Sequence, residues 1–190
     1  MKLTINSPVP EFSLTDLNGQ CYNTSEPRNK LIMLAFFRYA SCPLCNLRIH
    51  ELIENYHELS QKMDIVAVFQ SPKDKINDYV GKQTIPFTVL PDPECTLYRL
   101  YGLESSWLGF LRAWTIKITQ VFNAVVKHHY YPGSVEGDLH RIPADFIIDT
   151  DNKILTAYYG KDIGDHLPLS EIYSLIKSYE TRRQNKVKDN

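Results

Sequence analysis

The feature that most constrains the fold is a pair of apolar runs joined by a helical segment. Residues 30–38 (KLIMLAFFR) and 63–70 (MDIVAVFQ) are short and almost wholly apolar, which is typical of buried strands. Between them, residues 43–61 place apolar side chains at spacings of three and four, the period of an amphipathic helix. A helical crossover joins parallel strands, so the sequence predicts a β-α-β unit in a parallel sheet.

The remaining segments extend this sheet and give it an antiparallel part. The pattern predicts a helix, a strand and a second helix at residues 71–82, 86–92 and 93–103. Residues 144–160 contain two strands joined by a tight turn, which requires antiparallel pairing, and residues 168–183 form a last amphipathic helix.

This order of elements predicts an α/β protein with a thioredoxin-like fold. The central sheet is expected to be mixed and flanked by helices, and an N-terminal hairpin is expected to turn at Asn18-Gly19. At 190 residues, the chain fits one domain spanning positions 1–190.

A helical insert is expected at about residues 104–138, before the last strands. One face of its middle part is apolar and includes two tryptophans: Trp107, Phe110, Leu111, Trp114, Ile118, Val121, Phe122 and Val125. One interpretation is a helix that packs on the core, which is ordinary for amphipathic helices. The other is a surface for a membrane or a protein partner, including a second copy in a homodimer.

Charge and hydropathy exclude several classes of function. The formal net charge is −1, so we expect no affinity of the whole chain for nucleic acid. We find no signal peptide at the N-terminus and no apolar stretch of about 18 residues, so we predict a cytoplasmic protein without a spanning segment. Structural disulfides are rare there, so the four cysteines suggest redox chemistry or metal binding.

Two of these cysteines, Cys42 and Cys45, stand at the junction of the first strand and its helix. Pro43 prefers the first helical position, so Cys42 is expected at the N-cap, where free N–H groups and the helix dipole favour a thiolate. Arg38, at the end of the strand, adds positive charge. We expect an exposed, nucleophilic Cys42 and a more sheltered Cys45 that resolves a mixed disulfide.

Two other interpretations of the pair are open. A zinc site would need further ligands, and Cys95, His128 and His129 do not match a usual spacing. Two unreactive core cysteines are the second alternative. We predict no metal and no organic cofactor.

The segment RIPADFIID places Pro143 directly before a strand. In a thioredoxin-like fold such a proline is commonly cis and faces the dithiol; the alternative is a trans proline at the start of a strand. Asp145, inside that strand, either accepts protons near the dithiol or binds backbone, and we favour the second.

The residues resemble the AhpC/TSA superfamily of peroxiredoxin-like proteins. FFRYASCPLC is similar to the signature of its CxxC-bearing, prostamide-synthase-like branch, VPEFSLTDLNGQ to its N-terminal hairpin, and LPDPECTLYRLYGLESS and EGDLHRIPADFIID to later segments. The resemblance implies a thiol-dependent antioxidant oxidoreductase. Its oxidant would be a peroxide, an endoperoxide-like lipid or a protein disulfide, and its reductant a thiol such as thioredoxin or glutathione.

The resemblance leaves two assignments of the attacking sulfur open. In typical members the peroxidatic cysteine ends a P-x-x-x-T-x-x-C motif, which places it at Cys45, with Arg38 and Cys42 at the proline and threonine. Arg141 is a loose counterpart of the family's pocket arginine. In a thioredoxin-type dithiol, the first cysteine is the nucleophile, which would be Cys42 here. The position of Cys42 at the start of the helix favours this second assignment. The competing class of function is a non-catalytic binding module that uses the insert helix.

Overall fold

The computed structural model describes residues 2–108 and 118–188, and within them it has a mixed five-stranded central sheet. The strands are β1 Ser13–Thr15, β2 Cys21–Asn23, β3 Leu31–Phe36, β4 Met63–Phe69, β5 Thr88–Pro91, β6 Ala144–Ile148 and β7 Ile154–Tyr159. The central sheet has the order β5-β4-β3-β6-β7. Strand β4 is parallel to β3 and β5, whereas β6 is antiparallel to β3 and β7. This confirms the predicted mixed sheet, and β1 and β2 form the predicted hairpin.

The helices agree with the predicted order but differ in their ends. They are α1 Pro43–Glu54, α2 Tyr56–Leu59, α3 Lys73–Tyr79, α4 Thr96–Leu100, α5 Ile118–Val126 and α6 Leu169–Lys188. The single helix predicted over residues 43–61 is interrupted at Asn55, which lies between α1 and α2. The N-cap of α3 is Pro72, and the hydroxyl of the preceding Ser71 accepts the Ala40 N–H at 2.8 Å.

Two apolar clusters cover the two faces of the central sheet. On one face, Met33 and Ala35 of β3 pack with α1, α3 and α6, and this cluster includes both cysteines of the pair. On the other face, Ile32, Leu34 and Phe36 pack with α4 and the N-terminal hairpin. Successive strand residues point to opposite faces, so β3 is buried throughout, which explains its continuous apolar sequence.

The described helix of the insert packs on α1 but leaves part of its apolar face exposed. In α5, Ala124 is buried, but Phe122 is 66% exposed and Val121 also faces solvent. The interpretation that this face packs on the core was therefore wrong for Val121 and Phe122. The predicted apolar positions Phe110, Leu111 and Trp114 lie outside the described residues. Within the described ranges, none of the helices combines the length and the apolar character needed to cross a bilayer.

The Tyr98 hydroxyl binds backbone carbonyls at the ends of the neighbouring strands β3 and β4. Its side chain is fully buried, and its hydroxyl lies 2.6 Å from the carbonyl of Phe37 and 3.0 Å from that of Val68. Removing the hydroxyl with Tyr98→Phe leaves a buried carbonyl without this donor, and we expect a loss of about 1–2 kcal/mol in the free energy of unfolding. Urea denaturation with an unchanged m-value measures this loss.

Tyr131→Phe is the matched control, because Tyr131 is 61% exposed and such surface changes stay within about 0.5 kcal/mol. If Tyr98→Phe were as stable as the parent protein, the proposed role of this hydroxyl would be wrong.

Candidate active site

The cysteine pair lies where β3 ends and α1 begins. Cys42 is the N-cap of α1 and has an extended backbone, and Pro43 occupies the first turn, as the sequence predicted. The Asn46 side-chain amide donates to the carbonyls of Ala40 at 2.7 Å and Cys42 at 3.0 Å, which holds the loop before the helix in place. The Cys42 sulfur is thus fixed at the positive end of α1.

Arg38 follows β3 and reaches the same sulfur. It is 2% exposed, and its Nη1 donates to the Cys42 Sγ at 3.3 Å. Its Nη2 donates to the carbonyl of Leu139, and its guanidinium lies 4.9 Å from the ring centre of Tyr39. The positive charge predicted near Cys42 is therefore in direct contact with it.

The environments of the two thiols push their pKa values apart. Burial by itself raises the pKa of Cys42. Three interactions outweigh the effect of burial: a hydrogen bond from the Cys45 thiol, the charge of Arg38 and backbone N–H groups at the start of α1. Together they lower the pKa of Cys42 to about 6. Burial, together with the neighbouring Cys42 sulfur, raises the pKa of Cys45 well above its ordinary value. This arrangement favours the thiolate on Cys42 and the protonated thiol on Cys45.

The expected exposure of Cys42 is wrong. Both thiols are buried, each with 1% of its surface accessible, and both are free thiols. The loop that carries Cys42 is covered by the end of the insert, which is distant in the sequence. The hydroxyl of Ser41 in this loop donates to the Ser134 carbonyl of the insert at 2.6 Å.

The geometry before Pro143 differs from the expectation, and Arg141 contacts Leu103 and Tyr98. The peptide bond before Pro143 is trans, since the described residues contain no cis peptide, so the cis expectation is wrong. Pro143 lines a separate cavity of about 200 Å³ together with Lys2 and Tyr159. The Arg141 side chain donates to Leu103 and lies over the ring of Tyr98. A catalytic role of Pro143 stays a prediction.

The other two cysteines occupy different parts of the fold. Cys21 is exposed in β2, with its sulfur 3.0 Å from the hydroxyl of Ser13. Cys95 is half-buried at the N-cap of α4, and burial raises its pKa. Among the described residues, histidine, cysteine and acidic side chains form no group of three suited to a metal ion, so the zinc alternative gains no support.

Asp145 and His166 form a buried contact that the sequence did not predict. Asp145 is fully buried, and its carboxylate accepts the Leu167 N–H at 2.6 Å and lies 3.0 Å from Nδ1 of His166. This agrees with the backbone-binding role favoured for Asp145. His166 carried no sequence signal, because it stands in an irregular segment between β7 and α6.

Comparisons with known proteins bear on the family and the fold of the chain. The AhpC/TSA family model matches residues 5–157. Peroxiredoxin Bcp of Escherichia coli is 26% identical over 150 residues, which cover 77% of this chain and 79% of that protein.

Two solved structures share the fold. Peroxidoxin BcpB from Mycobacterium tuberculosis superimposes with a TM-score of 0.64 at 15% identity, covering 92% of this chain and 96% of the other. A variant of PrxQ from Xylella fastidiosa gives 0.67 at 13% identity, with coverage of 96% and 99%. The family match extends over most of the chain, and the chain therefore belongs to the AhpC/TSA family as a peroxiredoxin-like thiol oxidoreductase.

Proposed function

We propose that this protein reduces a peroxide by cycling Cys42 and Cys45 between a dithiol and a disulfide. The observation that carries the proposal is the 3.3 Å contact of the Arg38 guanidinium with the Cys42 sulfur at the start of α1. A buried cation and a helix N-terminus directed at one sulfur make that sulfur a nucleophile at neutral pH.

In the first step, the Cys42 thiolate attacks one oxygen of the hydroperoxide. A sulfur–oxygen bond forms, the oxygen–oxygen bond breaks, and the departing alkoxide or hydroxide takes up a proton to leave as an alcohol or water. Cys42 becomes a sulfenic acid. Arg38 holds the thiolate before the attack, and Cys45 keeps its proton because its pKa is raised.

In the second step, the Cys45 sulfur loses its proton and attacks the sulfur of Cys42. The disulfide bond forms, and hydroxide leaves the sulfenic acid with that proton as water. The two thiols supply both electrons that the peroxide receives. A thiol reductant, such as thioredoxin or glutathione, then returns two electrons and two protons to the disulfide.

The contacts support Cys42 rather than Cys45 as the sulfur attacked first. The donated hydrogen bonds end on Cys42, from Arg38 and from the thiol of Cys45. Cys45 lies one turn into the helix, and the adjacent Cys42 sulfur disfavours its charged form. The alternative of a non-catalytic binding module is not favoured, because binding alone does not require a thiol with a lowered pKa. A cytoplasmic location and a homodimer stay predictions.

Mass spectrometry of the peroxide-treated protein tests the proposal. We expect that one equivalent of hydrogen peroxide removes two free thiols and yields one intramolecular disulfide between Cys42 and Cys45, with a loss of two hydrogens. Added thioredoxin with its reductase should restore both thiols and sustain peroxide consumption. If both thiols survive peroxide unchanged, the proposed function is wrong.

A further inference from the structure

A cavity that is separate from the cysteine pair lies beside α1. It has a volume of about 470 Å³ and is bounded by α1, the end of α5 and the segment between β7 and α6. This volume is typical of sites for small molecules. Its lining along α1 extends from Leu44 to Glu54, about 15 Å along the helix axis. Neither Cys42 nor Cys45 lines it, so it is not part of the site described above.

Basic side chains outnumber acidic ones in the lining of this cavity. The basic ones are Arg48, His50, Lys127, His128 and His166. The two carboxylates already have basic partners: Glu51 accepts from Arg48 at 2.6 Å, and Glu54 lies 3.5 Å from Nε2 of His50. Within the described ranges, neither Lys127 nor His128 has an acidic side chain at ion-pair distance. The lining therefore has positive groups that no acid of the protein neutralises.

At one end of the cavity, His166 and Arg48 are held in place from behind. Nδ1 of His166 lies 3.0 Å from the buried carboxylate of Asp145, and its ring lies 4.8 Å from the ring of Phe37. Asp145 thus occupies Nδ1 and leaves Nε2 as the ring nitrogen available to a ligand. Arg48 is buried, and its Nη2 donates to the carbonyl of Leu167 at 2.7 Å. Both groups are therefore fixed before any ligand arrives.

At the other end, two imidazoles face each other beside a lysine. The ring centres of His50 and His128 are 4.8 Å apart. Burial and the charges of His50 and Lys127 lower the pKa of His128, and the charge of Glu54 opposes this without outweighing it. An anion bound between these groups would relieve their mutual repulsion.

We propose that this cavity binds a small polyanion, a molecule with several phosphate or carboxylate groups, and binds it more tightly as the pH falls. With the three imidazoles neutral, the two other basic groups of the lining balance its two carboxylates. Protonation of the imidazoles adds up to three positive charges, which Asp145 behind His166 opposes in part. An anion favours the protonated imidazoles, so its binding takes up protons and strengthens at lower pH.

The other titratable or charged groups that face these imidazoles are Arg48, Glu51 and Glu54 on α1 and Lys127, His129 and Tyr130 at the end of α5.

Isothermal titration calorimetry with trimetaphosphate and with benzene-1,3,5-tricarboxylate tests the site. Both probes keep their charge over the pH range used, so a pH effect belongs to the protein. We expect at least one of them to bind, with an affinity about tenfold or more higher at about pH 6 than at about pH 8, because the imidazoles lose their charge in this interval. Tighter binding of trimetaphosphate would indicate a phosphate-bearing ligand, and tighter binding of the tricarboxylate a polycarboxylate. If neither probe binds, or if affinity does not rise as the pH falls, the proposal is wrong.

Lys127→Gln combined with His128→Gln removes the two basic groups that have no acidic partner. We expect this double variant to bind the probes about tenfold or more weakly at about pH 6. Lys73→Gln with His57→Gln is the matched control: it removes the same charges at exposed positions that do not line the cavity, and it should leave the affinity unchanged. Lys127→Gln alone should show a smaller loss, which keeps the test decisive if the double variant is poorly folded. Full affinity in the cavity variants, or an equal loss in the control, would overturn the site.

Nuclear magnetic resonance of the imidazole protons locates the bound anion. A pH titration of the His128 ring is recorded with and without a saturating concentration of the probe that binds. We expect the anion to raise the pKa of His128, since it adds negative charge where positive groups now lower that pKa. A titration of His128 that the anion does not move would place the anion elsewhere and overturn the proposal. None of these measurements uses peroxide, so their outcome is independent of the function proposed for Cys42 and Cys45.

Discussion

Replacing Cys42 with serine should abolish peroxide consumption, whereas replacing Cys45 with serine should leave a protein that reacts once and then stops. Serine at position 42 has no thiolate at neutral pH, so the loss in rate is expected to be at least about a thousandfold. Without Cys45, the oxidised Cys42 cannot form its internal disulfide. It should accumulate as a sulfenic acid or as a mixed disulfide with added thiol.

A coupled peroxide assay and trapping of sulfenic acid with dimedone measure both outcomes. Cys21→Ser and Cys95→Ser are the matched controls, and each should keep the parent's rate, since neither thiol belongs to the pair. If Cys42→Ser still consumed peroxide and sulfenic acid collected on Cys45, the assignment would be reversed and the typical peroxiredoxin alignment would be right.

Arg38→Met should raise the pKa of Cys42 and reduce its reactivity at pH 7 by about tenfold. In the parent protein this pKa is lowered to about 6, so the rate of alkylation should rise through pH 6 and be nearly constant above pH 7. Methionine keeps much of the length of arginine but removes the charge and the donor to the sulfur. The midpoint should move toward the ordinary thiol value of about 8.5. The pH dependence of iodoacetamide labelling at Cys42 measures this shift.

Arg48→Met is the control for this variant, because Arg48 is also buried but binds Glu51 and the Leu167 carbonyl rather than a thiol. It should leave the midpoint in place. An Arg38→Met profile that coincides with the parent's would remove Arg38 from the site.

The lowered pKa of Cys42 also sets the sign of a stability effect. The folded protein binds this proton less tightly than the unfolded chain does. The thiolate therefore contributes stability that is fully present above the unfolded pKa and is lost as the pH falls through about 6.

The parts of the fold that sequence predicted are those decided by neighbouring residues. Strand β3 is a continuous apolar run because both of its faces are covered, and the run shows this directly. The place of Cys42 at the start of α1 follows from Pro43 alone. The contact of Arg38 with Cys42 could also be predicted, because the two residues are only four positions apart across the junction of a strand and a helix.

What sequence did not predict depends on segments that meet only in the folded chain. Cys42 is buried because residues more than 90 positions away in the sequence lie over its loop. The hydrogen bonds from Ser41 and Arg38 to these residues end on backbone carbonyls, which leave no pattern in a sequence. The trans peptide before Pro143 and the pairing of Asp145 with His166 likewise depend on tertiary context.

The stabilised Cys42 thiolate has a second consequence, which concerns how the disulfide is opened again. A sulfur that is stable as an anion is also a good leaving group, so thiol attack at the Cys45 side of the disulfide would release Cys42 readily. The same interactions stabilise the reduced form relative to the oxidised one, which makes the disulfide comparatively oxidising. Wherever free thiols are present, the protein should therefore rest as the dithiol, ready for the next oxidant molecule, and its disulfide should be short-lived.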